Sequence, residues 1–247
     1  MKPQLYNAVY LDRLHQFLSK TKNRSLELLS PCANDKIVDV GCGLGDDVLA
    51  IADTGATAIG IDNNTEYIYA ARQKNNDISF ICAEADAIPL GDSSVNKIRF
   101  DRILQHIEVH AGVFKEASRL LKTGGMLQIV EPDYLSWSFF LEDEKFDQRI
   151  MQSVAYDRLN GARLTRKIPS DIEPFGFVLT GVEVHNYMVT EFELANYIVR
   201  FDKTISEGFE RGIFTEAEVN LWHRHINKPK GQFNLSINII LYTAIKM

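Results

Sequence analysis

Cysteine is scarce in this chain. Cys32, Cys42 and Cys82 are its three, an odd number, widely separated and without a C-x-x-C pair. Neither a disulfide framework nor a zinc site is encoded by them. No apolar stretch reaches the roughly 18 residues that a membrane span requires. The first twenty residues, MKPQLYNAVYLDRLHQFLSK, also lack the uninterrupted apolar block of a secretory leader. These absences predict a soluble, reduced, cytoplasmic protein with no membrane partner. A basic excess is missing too: Lys plus Arg total 27 against 33 Asp plus Glu, a net charge of −6. A phosphate backbone demands a basic face, so nucleic acid is not the expected partner. Repeats, low-complexity runs and a Gly/Ser/Pro linker are all absent. The 45% apolar and 24% charged fractions then exclude a disordered chain.

What is present is a long alternation of strand and helix signals. Leu11, Leu14, Phe17, Leu18, Leu26, Leu28 and Leu29 recur at helical spacing before Ser30-Pro31. Short strands are predicted at 37–40, 57–61, 78–82, 96–104 and 126–130, with helices at 46–53, 65–74 and 113–121. Gly55 reads as a helix stop and Gly124-Gly125 as a turn. Strand and helix at this pitch argue for right-handed βαβ units and a parallel sheet covered on both faces. Beyond Pro132 the texture changes. Phe146, Ile150, Met151, Val154 and Ala155 mark an amphipathic helix, and 168–175 reads as a short one with Pro169 near its start. Residues 178–189 are strand-like, 192–201 and 216–226 helical, and 233–246 a β-rich tail. The prediction is a single domain over 1–247: N-terminal helices to 35, a ligand-binding core at 36–133, a helical cap and substrate region at 134–232, and a closing strand at 233–247.

Three segments carry chemistry. Asp39-Val40-Gly41-Cys42-Gly43-Leu44-Gly45 closes a strand and opens a helix, where glycines permit a tight turn and close approach of backbone N–H groups to a ligand. The spacing is GxGxG, and Asp46 stands where a dinucleotide fingerprint has its third glycine. With Asp47 beside it, the first helical turn would repel a diphosphate, so a cofactor without phosphates fits better. Asp62 ends the next strand, 21 residues after Gly41, near the distance that places a carboxylate on a ribose diol. Its alternative is to cap the following helix with Asn63 and Asn64. Asp86, in Ala83-Glu84-Ala85-Asp86-Ala87-Ile88-Pro89, can accept from an exocyclic amine, with Ala87 and Ile88 supplying apolar contact.

Together these segments resemble the class I S-adenosylmethionine-dependent methyltransferases, as does the later Glu116-Ala117-Ser118-Arg119-Leu120-Leu121-Lys122-Thr123-Gly124-Gly125. Arg102-Ile103-Leu104-Gln105-His106-Ile107 with Glu131-Pro132-Asp133 is similar to a subgroup of bacterial small-molecule methyltransferases. The likeness covers about residues 24–133, with echoes at Gly161-Ala162-Arg163-Leu164 and Phe175-Gly176-Phe177. It implies a three-layer Rossmann-like fold with seven strands, the last antiparallel. It also implies S-adenosylmethionine as cofactor and S-adenosylhomocysteine as product, held by Asp39, Gly41, Gly43 and Gly45 at the methionine end, Asp62 with Asn63 at the ribose, and Asp86 with Ala87 at the adenine. Asn96, where the family has Asp, and the bulky Phe100-Asp101 depart from its pattern around Arg102.

Other residues leave alternatives open. His106 follows the fourth strand and is either a general base or a plain residue of the cofactor site. Arg102 either meets the cofactor carboxylate or pairs with Asp101 or Glu131, and Arg24 is a second candidate for that carboxylate. His223 and His225 point about 200° apart on a helix, so they are poor joint metal ligands; both are expected on the surface, and no metal site is expected anywhere. Arg149, Arg158, Arg163, Arg166 and Lys167 form a basic segment, either a solvated face or an anion contact. Tyr134, Trp137, Phe139 and Phe140 are core or the wall of an apolar acceptor pocket. The expected activity is methyl transfer to oxygen, nitrogen or carbon of a small-molecule acceptor, with homodimer formation left open. The rival readings are a cofactor-binding protein that no longer methylates, and an RNA or protein methyltransferase. The absence of an (N/D)PP(Y/F)-like motif argues against base methylation.

Overall fold

The computed structural model describes residues 8–157, 163–227 and 233–247. Arg158, Gly161 and Ala162, singled out above, lie outside the described residues, as do the side chains of residues 8–12. The chain divides into two compact units. One is drawn from residues up to 131, 167–183 and 240–247, the other from 132–166 and 184–239.

In the first unit α1 (Ala8–Phe17) and α2 (Ser19–Leu29) precede the alternation β1 (Lys36–Val40), α3 (Asp46–Ala52), β2 (Thr57–Asp62), α4 (Thr65–Lys74), β3 (Ser79–Cys82), β4 (Val95–Asp101), α5 (His110–Leu120) and β5 (Leu121–Pro132). Local chemistry sets these bounds. Asn64 caps α4 by accepting from the N–H groups of Glu66 and Tyr67, and Gly55 adopts φ +89° just past α3. Arg102 takes φ +58°, a left-handed conformation that ends β4 three residues before the predicted limit. The Gly124-Gly125 turn falls inside β5. Leu121 pairs with Val95 and Met126 with Lys97, so Lys122–Gly125 bulges out of the ladder.

The sheet has eight strands in the order β3-β2-β1-β4-β5-β8-β6, with β7 (Phe177–Val189) also on β8 (Leu235–Lys246). The pairs β3-β2, β2-β1, β1-β4 and β4-β5 are parallel, and the C-terminal strands are antiparallel. The eighth strand, not anticipated, is the two-residue β6 (Ser138–Phe139), which pairs antiparallel with Ser236 and Leu235. The predicted class, α/β with a mostly parallel Rossmann-like sheet, is the one observed. Alternation sorts β1, β4 and β5 into two faces. Val38, Val40, Ile98, Phe100, Leu127 and Ile129 make one buried apolar face. Asp39, Arg99 and Gln128, paired in register across the three strands, lie on the other, and all three are also buried.

The second unit includes β6, α6 (Glu144–Asp157), α8 (Phe192–Val199), α9 (Phe201–Glu210) and α10 (Glu216–Ile226). Its core is aromatic: Phe139, Phe192, Phe201, Trp222 and Phe233 pack with ring centroids 5.2–6.1 Å apart. Trp137 and Phe139 are buried while Phe140 is 64% exposed, so only part of that aromatic run is core. One expectation is corrected here. His223 is exposed, but His225 is 4% exposed, with its ring 5.9 Å from that of Phe233. Two residues on opposite sides of an amphipathic helix cannot both face water. Arg200, at φ +59°, separates α8 from α9, a helix the sequence reading did not include. Pro169 lies inside α7 (Leu164–Ile172) instead of near its start. Among the described residues no helix is long and apolar enough to cross a membrane.

A Cβ on Gly208 of α9 would overlap the ring of Phe214. Gly208→Ala is therefore expected to cost about 1–3 kcal/mol despite its better helix propensity. Urea unfolding checks this, and an unchanged midpoint would contradict the packing.

Candidate cofactor site

Gly41, Gly43 and Gly45 all have positive φ, at 74°, 54° and 81°. Two of them also have no room for a side chain. A Cβ on Gly41 would overlap Cγ2 of Ile103, and one on Gly45 would sit 2.8 Å from the Phe80 ring. The N–H groups of Gly41 and Cys42 both donate to the carbonyl of Ile61, at 2.7 and 2.9 Å, which staples the turn to the end of β2. Cys42 is buried within it, and burial pushes its thiol far above the ordinary range. It is a packing residue.

Asp62 stands beside this turn. Its Oδ2 accepts from Gly43 N–H and its Oδ1 from Asn64 N–H, both at 2.9 Å. Each carboxylate oxygen keeps a second acceptor site, which a vicinal diol could use. Burial moves its pKa up, against the pull of those N–H donors. The cap of α4 is Asn64, not Asp62. Asn63 donates to Glu84 Oε2 at 3.1 Å.

The loop after β3 is held from α5. Glu116 Oε1 accepts from Ile88 N–H at 2.7 Å, and Arg119 donates to the carbonyls of Ile88 and Leu90 at 3.0 and 2.8 Å. Hydrogen bonds from Arg119 hold the Glu116 carboxyl below its usual range. On this anchored loop Asp86 and Ala87 are exposed, and Asp86 lies against Gly112 in the first turn of α5, 3.3 Å from where a Cβ would be.

The third edge is the turn 102–106. Arg102 N–H donates to Val130 and Gln105 Nε2 to the Arg102 carbonyl, while His106 ends a short 3₁₀ turn, exposed, with its N–H on the Ile103 carbonyl. Arg102 itself pairs with Asp101 at 2.7 Å, one of the partners open to it from sequence. Arg24 pairs with Glu183 and Glu27 instead of reaching this region. Three residues of the basic segment are paired with acids: Arg149 with Glu218 at 2.6 Å, Arg166 with buried Asp133 at 2.9 Å, and Lys167 with Asp171 at 3.4 Å. Among the described residues, no three His, Cys, Asp or Glu side chains are grouped as metal ligands.

Sequence reasoning missed the polar layer behind the turn. Arg99, 3% exposed, donates to Asp39 at 2.8 Å, Asp47 at 3.1 Å, Asp101 at 2.6 Å and Ser25 Oγ at 3.0 Å. Lys22 of α2 binds both Asp47 and Asp101. Ser25 in turn bonds Gln128 Oε1 at 2.7 Å. Burial pushes Asp39 up to about 6, with Arg99 pulling the other way. Burial opposes ionisation of Asp47 as well, but Arg99 and Lys22 hold it down to about 2. The signal was the alternation Lys97, Arg99, Asp101 along one side of a strand of a sheet expected to be covered on both faces.

The profile of the methyltransferase domain family matches residues 32–169, more than half of the chain. A 37.1 kDa protein of transposon TN4556 from Streptomyces fradiae is 24% identical over 243 residues, 95% of this chain and 70% of that protein. A demethylmenaquinone methyltransferase from Chlorobaculum tepidum is 35% identical over 98 residues, 39% of this chain and 40% of that protein. Among solved structures, a Bacillus halodurans C-125 protein described as a methyltransferase superposes with TM-score 0.65 at 17% identity, over 92% of this chain and 99% of that one. The architecture is that of the class I S-adenosylmethionine-dependent methyltransferases. The chain belongs to the methyltransferase domain family.

Arg99→Met is expected to cost about 3–5 kcal/mol, because it leaves buried carboxylates without their main partner. The deficit should shrink as pH falls from 7 to 5. Without Arg99 the native state takes up protons that the unfolded chain does not, so its stability rises relative to wild type in that window. Denaturant midpoints at the two pH values check both parts.

Proposed function

We propose that the protein transfers the sulfonium methyl group of S-adenosylmethionine to a small-molecule acceptor. The observation that carries this reading is the left-handed glycine turn stapled to Ile61, with the Asp62 carboxylate beside it, at the carboxyl edge of a parallel sheet. The donor set fits the cofactor: narrow backbone at Gly41–Gly45, and a carboxylate with acceptor capacity to spare. Bound there, the cofactor supplies an already electrophilic methyl carbon.

The residues of this chain then have mainly to hold and orient. Backbone at Gly41, Gly43 and Gly45 receives the methionine end, with Asp39 fixing the turn from behind. Asp62 and Asn63 take the ribose, and Asp86 and Ala87 the adenine. Orientation alone supplies several orders of magnitude in rate for such a displacement. His106, on the exposed end of its turn, serves as general base where the acceptor arrives protonated. Arg102 contributes beside the methionine end, its Nε held by Asp101. A small acceptor is supported by the similarity to a demethylmenaquinone methyltransferase and by the acidic net charge.

Thermal unfolding with S-adenosylhomocysteine, NAD and an Asp62→Ala variant tests the cofactor assignment. At about 100 times its dissociation constant, the ligand should add about 2.7 kcal/mol, a rise of roughly 5–10 °C for this size. The rise should be absent with NAD and lost in the variant, each measured against its own ligand-free Tm. A folded protein with no response would sink the proposal. Response to the ligand without methyl consumption across a panel of acceptors would point to the non-methylating rival.

Gly112→Ala probes the adenine end. The new methyl crowds Asp86, while alanine improves α5 by up to about 1 kcal/mol. The expected outcome is an unchanged or higher Tm with a several-fold weaker affinity for S-adenosylhomocysteine by calorimetry. Unchanged affinity would remove Asp86 from the site.

A further inference from the structure

Glu131, near the end of β5, is fully buried, yet among the described residues it serves no ion pair. Its Oε1 accepts the N–H of Leu104 at 2.7 Å, and the adjoining Ile103 amide also favours the ionised form. Its Oε2 is buried and has no hydrogen-bond partner among the described residues. The two amides belong to the turn between β4 and α5, and the neighbouring Arg102 is held there at φ +58°. Ile103 in turn lies directly on the α-carbon of Gly41. Glu131, the 102–106 turn and the glycine turn thus form one line of contact.

We propose that Glu131 is a positioning residue, protonated while it does its work, that presses the 102–106 turn onto Gly41 and so keeps the cofactor turn in its binding shape. This rests on the reading of Gly41–Gly45 as the cofactor's turn. An ionised carboxylate with one oxygen unpartnered in the interior would carry its full desolvation cost, so the proton belongs on Oε2. Burial pushes the group up to about 8, with Asp101 adding to the rise and the Ile103 and Leu104 amides and Arg102 opposing it. The titratable groups facing it are few. Asp101 ends β4 and is paired with Arg99, Lys22 and Arg102. From α5, His110 Nε2 lies 2.9 Å from the Leu104 carbonyl. Strand β8 carries Lys246, which donates to the Leu121 carbonyl at the far end of β5 from Glu131. Two residues along the chain, Asp133 is held by Arg166.

The consequence is a pH dependence in one direction. With the turn closed, Glu131 keeps its proton to about 8; with the turn open to water, it ionises near the ordinary glutamate value of 4.5. Closure binds a proton, so it is favoured at low pH and weakens as pH rises towards 8, by up to tenfold per unit. Above 8 both forms are ionised and the dependence ends. Glu131→Gln keeps the acceptor oxygen, replaces the hydroxyl with an N–H, and removes the titration.

Two measurements on the full chain between pH 5 and 8 decide the matter. Amide hydrogen exchange at Ile103 and Leu104, corrected for intrinsic rates, should lose protection with rising pH in wild type and hold it in Glu131→Gln. Calorimetric affinity for S-adenosylhomocysteine should fall relative to Glu131→Gln, by about threefold or more between pH 6 and 8. Every other titratable group, Asp39 included, is common to both proteins, so the ratio isolates Glu131. A ratio constant with pH, or unprotected amides in wild type at pH 6, would overturn the proposal. Exchange that responds while affinity does not would reduce Glu131 to a purely structural group and overturn it equally. Absence of binding by either protein at any pH would instead be the failure of the cofactor reading, and exchange would then decide the anchor alone.

Discussion

The guanidinium of Arg99 is the constraint on which the ligand edge of this fold depends. It sits in the middle of a parallel sheet, where an apolar residue is the ordinary occupant, and reaches carboxylates from three different elements: Asp39 of β1, Asp47 of α3 and Asp101 of β4. Those three residues flank the segments that make the edge. Asp39 lies two residues before the glycine turn, Asp47 two residues after it, and Asp101 immediately before the strained turn at Arg102. One planar fork therefore sets the spacing of both turns from behind, a task suited to Arg and poorly served by a flexible ammonium. Lys22 extends the arrangement to α2 through Asp47 and Asp101.

A buried cluster of this size survives only if its charges nearly cancel. Lys22, Arg99 and Arg102 stand against Asp39, Asp47 and Asp101, three of each sign. Asp39 carries the weakest claim to ionisation, since burial lifts it to about 6 while Asp47 is held near 2 by two cations. The cations are thus shared unequally, and the carboxylate with the fewest is the one beside the glycine turn.

Much of the first unit was legible because its signals are local. Predicted helix 65–74 and strands near 37–40, 57–61 and 78–82 match α4, β1, β2 and β3 to within about a residue, since Asn64, the glycines and short β-branched runs mark their limits. The methyltransferase family itself was readable from four motifs in register. What was not readable depended on non-local partners. Nothing local tells Arg99 that Asp39 will lie beside it in register, nor His225 that its side of α10 faces Phe233. The end of β4 was overestimated because Ile103 and Leu104 read as strand. Tertiary contacts turn them instead, Ile103 onto Gly41 and Leu104 under Glu131.

The same balance explains why the next carboxyl along, Glu131, stays outside the charged cluster. Its neighbours Asp101 and Arg102 already neutralise one another at 2.7 Å, and Arg99 and Lys22 are committed to Asp47 and Asp101. A fourth carboxylate would have no unshared cation to face. Backbone amides are the donors left, and the 102–106 turn offers two of them at the end of β5. A neutral acid can accept those bonds without upsetting the charge count. The polar layer and the turn that carries His106 are therefore two parts of one electrostatic arrangement: the first neutralised by ion pairing, the second by a retained proton.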